Sequence, residues 1–211
     1  MAQTACGKNA VSEARKAILE KLARTRSAPS PIPAYELAPW NGDPGAHFIA
    51  KAKTTVARLS EIASPLDAPA AIAAIMETAG LEPRLHIPGN SPLNNLPWQR
   101  VPGLTLSAAP PSGEDCTLSA ADFAIAETGT LVFLSGAQSP SSWHFRPGQE
   151  FVLLTRGLIL PRLEDVIAAL AAPGMPATLN LVTGPSRTAD IEQTIELGAH
   201  GPREVHILLS A

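Results

Sequence analysis

Apolar positions in the first part of the chain recur at helical spacing. Val11, Ala14, Ile18 and Leu22 mark one face between Ala10 and Thr25, with Glu13, Arg15, Lys16, Glu20 and Arg24 on the others, which predicts an amphipathic helix. The next stretch, Ser27 to Pro44, carries Pro29, Pro31, Pro33 and Pro39. Each proline removes a backbone donor and disfavours a helical residue before it, so an irregular connection is expected. It reads either as an extended arm anchored by Tyr35 and Trp40 or as a disordered linker. A second helix is expected from Asp43-Pro44, a capping carboxylate followed by a proline at the first helical position, with Phe48, Ala52, Val56 and Leu59 inward. A third follows Asp67, turns Ile72, Ile75, Met76 and Ala79 inward and stops at Gly80.

Beyond Gly80 the period changes. Short apolar runs at Leu85–Ile87, Leu104–Ala108, Phe123–Ala126, Leu131–Leu134, Phe151–Leu154, Leu179–Val182 and Val205–Leu209 are mostly bounded by Gly, Pro or Ser and read as strands. Phe151–Leu154 is continuously apolar, and Leu179–Val182 and Val205–Leu209 are broken only by Asn180 and His206, as expected of strands covered on both faces. Helical connections are predicted at Leu163, Val166, Ile167 and Leu170, and again at Ile191 and Ile195 before Gly198. The expectation is an α/β protein with a mainly parallel sheet flanked by helices. Residues 1–43 would form the N-terminal helix and proline-rich arm, and residues 44–211 the α/β domain.

Composition narrows the functional classes. With 45% hydrophobic and 17% charged residues, the chain has the apolar material for one large core. A formal net charge of -3, from 16 basic and 19 acidic side chains, argues against a nucleic-acid partner, which calls for a clustered basic face. Cys6 and Cys116 are too few for a disulfide framework or a metal cage, and they suit the reducing cytosol. No run reaches the roughly 20 apolar residues of a membrane span, and the start lacks an apolar signal core. The chain reads as cytoplasmic.

Three glycine-containing segments carry the candidate chemistry. In Ala126-Glu127-Thr128-Gly129-Thr130, preceded by Asp122, a carboxylate and two hydroxyls gather around a turn. Glu127 held where strands end would meet a ligand in the crevice there. The same residues also fit a hairpin turn with Glu127 solvated. In Thr183-Gly184-Pro185-Ser186-Arg187-Thr188-Ala189-Asp190, read as a strand-to-helix loop, backbone donors with Ser186, Arg187 and Thr188 could hold an anion. Ordinary helix capping is the competing reading, since Asp190 and Glu192 already place negative charge there. In Gly198-Ala199-His200-Gly201-Pro202-Arg203-Glu204, His200 could act as a general acid or base and Arg203 could clamp a carboxylate by a bidentate fork. Alternatively Arg203 simply pairs with Glu204 or Asp190. His47, His86, His144 and His206 show no metal-ligand spacing, so no metal site is expected.

These blocks, AETGT at Ala126–Thr130, GPSRTADIE at Gly184–Glu192 and GAHGPREVHILL at Gly198–Leu209, resemble the lactate utilisation protein C family, whose defining module is the LUD domain. Looser agreement through Ala14–Thr25, Phe48 onward and Pro97-Trp98 extends the resemblance over most of the chain. Ser141–Glu150, with Trp143, His144, Phe145 and Arg146, is less typical of the family than the flanking motifs.

The resemblance implies a sugar-isomerase and CoA-transferase-like fold. It also implies an accessory subunit that works with two iron–sulfur partner proteins in oxidising L-lactate to pyruvate. The clusters would sit on the partners and no cofactor on this chain. Two readings of the site follow. In the first, Glu127 and His200, with Thr128, Gly129, Thr130, Gly184, Ser186, Arg187, Thr188, Asp190, Gly201 and Arg203, line a crevice for a small carboxylate or a partner's substrate. In the second, the chain is a stand-alone enzyme on the CoA-transferase or formyltetrahydrofolate cyclo-ligase pattern, with Glu127 as nucleophile or base. The fold alone does not choose between them.

Overall fold

The computed structural model describes residues 5–24, 36–189, 195–197 and 201–211. Tyr35 and the prolines at 29, 31 and 33 lie outside them. The chain divides into two compact units, Met1–Pro39 and Trp40–Ala211. The first unit contains α1 (Ala5–Arg24), on which Ile18, Leu19 and Leu22 are exposed.

The second unit contains, in chain order, α2 (Pro44–Thr54), β1 (Arg58–Ile62), α3 (Ala68–Thr78), β2 (Arg84–His86), β3 (Thr105–Ser107), β4 (Cys116–Ala120), β5 (Phe123–Ile125), β6 (Thr130–Leu134), β7 (Gln149–Thr155), β8 (Ile159–Leu160), α4 (Leu163–Leu170), β9 (Leu179–Val182), β10 (Arg187–Ala189), β11 (Ile195–Leu197) and β12 (Glu204–Ser210). The expected cap of α2 is present. The Asp43 carboxylate accepts from the Gly45 and Ala46 N–H groups at 3.1 and 2.9 Å, with Pro44 opening the helix.

That helix is shorter than its apolar spacing predicts. Val56 is exposed with φ 65° and turns the chain into β1, so Leu59 lies on a strand. As an edge strand that pairs with β12 alone among the described residues, β1 tolerates Arg58, Ser60 and Glu61, which masked its period. Ala79 is likewise exposed, one residue beyond the end of α3.

A six-stranded sheet in the order β1-β12-β7-β4-β2-β3 forms the body of this unit, and every pairing in it is parallel. The α/β class and the mainly parallel sheet agree with the apolar pattern. On one face Leu118, Phe151, Leu153 and Leu208 pack against Ile72 and Met76 of α3. On the other, Val152, Leu154, Val205, Ile207 and Leu209 pack against Phe48 and Ala52 of α2 and against Ala124, Leu131, Phe133 and Val182.

The last four residues belong to a second sheet, ordered β8-β5-β6-β9, in which β5–β6 and β6–β9 are antiparallel. Leu179–Val182, expected in the parallel sheet, is therefore an edge strand here with Leu181 exposed. A short apolar run does not by itself distinguish a doubly covered strand from an edge strand. α4 closes the outer side of this second sheet through Val166 and Leu170 against Ile125 and Val132.

A further difference concerns the segment expected to be helical at Ile191 and Ile195. Ile191 lies outside the described residues, but Ile195–Leu197 pairs antiparallel with Arg187–Ala189. The loop after Gly184 thus leads into a strand pair, and the helix N-terminus invoked for anion binding is replaced by β10.

Candidate functional site

The first two motifs meet at the C-terminal end of α2. Gly129 has φ 72°, and a Cβ there would stand 2.7 Å from the Ala52 backbone nitrogen. Gly184 has φ 75°, and its Cβ would stand 2.6 Å from the Thr55 carbonyl oxygen. Both positions therefore demand glycine twice over, for conformation and for approach. Hydroxyl contacts join the two loops: Thr128 Oγ1 lies 2.6 Å from Thr130 Oγ1, which lies 2.7 Å from Thr183 Oγ1. Glu127 is exposed at this junction, its backbone N–H donating to the Pro161 carbonyl.

The third motif meets the second one step further along. The Ser186 N–H donates to the Pro202 carbonyl at 2.8 Å, and Gly201 is buried with a Cβ position 3.3 Å from the Ser186 Cβ. Arg203 sits at the N-terminal edge of the parallel sheet, its N–H donating to the Gly148 carbonyl just before β7. Its guanidinium donates to Glu114 at 2.5 Å, and with the carboxylate side chain 82% exposed this pair is readily exchanged. Among the described contacts Arg203 thus pairs with Glu114 and not with Glu204. Arg187 and Thr188 lie on β10, while Asp190 and His200 lie outside the described residues. The structure therefore brings Thr128 and Thr130 to Thr183, sets Gly129 and Gly184 each against the end of α2, and brings Ser186 to Gly201. No described contact joins Glu127 to Arg203.

A second cluster, not anticipated as a site, occupies the α2-facing side of the sheet. A pocket of about 120 Å³ is lined by Ser91, Leu118, Ser119, Ala120, Asp122, Gln138, Ser139, Trp143 and His144, among others. At its base the His144 Nδ1 lies 2.7 Å from the Glu150 carboxylate, and both side chains are essentially inaccessible to water. The other ring nitrogen, Nε2, lies 3.1 Å from the Ser139 hydroxyl, and the ring stacks on Phe133 at 4.0 Å.

Local structure holds these groups in place. Ser139 closes a turn with reciprocal backbone bonds to Gly136 at the end of β6, His144 ends a single 3-10 turn, and Glu150 is the second residue of β7. Asn180 of β9 donates to Ser141 at 3.0 Å and pins the 3-10 turn. Glu150 pairs in register with Thr117 of β4, and Glu150 Oε2 and Thr117 Oγ1 are both buried without a partner among the described residues.

Asp122 stands where β4 passes into β5, its carboxylate accepting from the Leu134 N–H at 2.7 Å. Burial pushes its pKa above the usual carboxylate value, against the opposing pull of that hydrogen bond and of His144. On the opposite face of the sheet, burial pushes the Cys116 thiol up to about 11, which leaves it unreactive at neutral pH. Among the described residues no group of three or more His, Cys, Asp or Glu is arranged to hold a metal ion. None of their helices is long and apolar enough to cross a membrane.

Residues 113–210, which contain all three motifs and most of the pocket, match the model of the LUD domain. A protein of Neisseria meningitidis serogroup B is 36% identical over 96 residues, 44% of this chain and 41% of that one. A protein named lactate utilization protein C, from Halalkalibacterium halodurans, is 36% identical over 93 residues, 42% of this chain and 40% of that one. Its namesake from Anoxybacillus flavithermus is 33% identical over 81 residues, 38% of this chain and 37% of that one. The matched segment spans about two fifths of the length of these curated relatives. The crystal structure of a DUF162 family protein from Deinococcus radiodurans superposes with a TM-score of 0.58 over 79% of this chain and 95% of that one. At 21% identity that likeness shows the fold.

Proposed function

We propose that the chain, whose residues 113–210 match the model of the LUD domain, is a component of an L-lactate utilisation system. In this reading it acts beside two iron–sulfur proteins and presents a small carboxylate to them. The observation that carries the reading is the likeness of this chain to relatives named lactate utilization protein C. Electron transfer would be the work of clusters on the partners. The contribution of this chain is recognition.

Arg203 is the cation suited to that task. It stands beside Gly148 and close to the Gly201–Ser186 contact, and its partner among the described residues is an exposed glutamate that a ligand carboxylate can displace by the same fork geometry. Ser186, half-buried against Gly201, adds a hydroxyl to the same edge. The experiment is L-lactate-dependent dye reduction by the purified chain alone, by two iron–sulfur partners alone, and by the three together. Reduction that requires the mixture, and that falls with Arg203→Ala, is the expected result. Equal rates with and without this chain would refute the component role.

A further inference from the structure

The geometry points to a serine acyl-transfer site in which Ser139 is the nucleophile, His144 its general base and Glu150 the group that orients the imidazole. This goes beyond the lactate reading and does not depend on it. A carboxylate only accepts hydrogen bonds, so the 2.7 Å contact assigns the ring proton to His144 Nδ1 and leaves the Nε2 lone pair facing the Ser139 hydroxyl at 3.1 Å. That is the order of groups that makes a serine nucleophilic: hydroxyl, imidazole, buried carboxylate.

Several features separate this arrangement from an ordinary buried hydrogen-bond chain. Its inner two members are sealed from water while Ser139 is part-exposed and lines the pocket, so the polarity runs from the core toward a cavity. Each member is fixed by a different rigid feature, the Gly136–Ser139 turn, the 3-10 turn pinned by Asn180, and β7. The pocket of about 120 Å³ has the volume of about four liquid waters, which suits a short acyl group. Gln138, on the same wall, carries amide donors of the kind that hold an oxyanion.

The substrate class is therefore a small acyl ester or thioester. Ser139 Oγ adds to the carbonyl carbon as its proton passes to His144 Nε2. The C–O or C–S bond to the leaving group then breaks, and the departing alcohol or thiol takes that proton. Water next gives a proton to Nε2 and its hydroxyl to the acyl carbon. The acid is released and Ser139 recovers its proton.

The test uses the full chain with phenylmethylsulfonyl fluoride, followed by peptide mass mapping, and with p-nitrophenyl acetate, followed by nitrophenolate release. The expected results are a sulfonyl adduct on Ser139 and ester hydrolysis that falls roughly 10²-fold or more in Ser139→Ala and His144→Asn. Glu150→Gln should lower the rate and shift its pH profile, a response that a purely structural bond would not produce. Ser139→Cys, which keeps a nucleophile at the same point, should trap the acetyl group as a thioester even if slow to release it. A folded wild-type chain that gains no adduct at Ser139, or is labelled at the same rate after His144→Asn, overturns the assignment.

Discussion

The motif edge and the buried pocket adjoin each other, at Gly201 and the His144 carbonyl, yet they are built on opposite terms. At the motif edge the invariable requirement is shape. Gly129 and Gly184 lie where backbone meets backbone, and the charged groups nearby, Glu127 and Arg203, stand at the surface. In the pocket the requirement is polar pairing. His144 and Glu150 are withdrawn from water, where an unpaired partner is expensive, and Ser139 carries that pairing out to a cavity. Motif-bearing residues can thus be joints of the fold, while concentrated polar chemistry occupies a stretch that no short motif marks.

The strongest way to break this comparison is to remove Glu150. Glu150→Ala leaves the His144 Nδ1 unpaired in the core and should cost about 3–5 kcal/mol in urea unfolding. A loss below about 1 kcal/mol would mean that the pair is not buried in solution. Next in size, Gly129→Ala must place a methyl group against the Ala52 backbone at positive φ and should cost about 2–4 kcal/mol. Gly184→Ala should behave alike, against Thr55. Thermal melts of both variants that match the wild type would show that α2 docks elsewhere.

A smaller effect sharpens the electrostatic side. Asp122 has a pKa raised by folding, so its native form binds a proton more readily than the unfolded chain does. Its contribution is full below the unfolded value of 3.8 and is lost as pH rises through the native value. Asp122→Asn cannot ionise and still offers an acceptor to the Leu134 N–H. Its stability relative to the wild type should therefore climb from acid toward neutral pH. A difference that is flat with pH would contradict the burial argument.

How far the fold was legible follows from which faces the strands present. β7 and β12 are doubly covered, with apolar middles broken only by His206 of β12, and α2 announces itself through Asp43 and Pro44, so these elements could be read from pattern alone. β4 could not. It is a central strand, but Thr117 and Ser119 alternate with Leu118 because one face looks toward the polar cluster. The missing apolar signal was itself a sign of the site. The β10–β11 pair was hidden for another reason, since Ile191 and Ile195 satisfy a helical spacing that the antiparallel pairing of Ile195–Leu197 overrides.

The candidate site divides the same way. The three glycine blocks stood out in the chain, but the reason for two of the glycines, Ala52 and Thr55 lying beneath them, is a tertiary fact. Ser139, His144 and Glu150 are close in sequence but sit on a turn, a 3-10 turn and a strand, so no regular spacing joins them. Only the atypical character of Ser141–Glu150 hinted that this stretch departs from its surroundings.

The smallest structural perturbation carries the most functional weight. Glu127→Ala and Arg203→Ala alter exposed side chains and should change stability by no more than about 0.5 kcal/mol, so any functional loss reads as a site effect. The decisive measurement is calorimetric titration of the full chain with L-lactate, comparing wild type, Arg203→Ala and Ser139→Ala. Binding that disappears with Arg203→Ala and survives Ser139→Ala would place the carboxylate at the motif edge, as proposed. Binding that survives Arg203→Ala, or no heat of binding in the wild type, would contradict it.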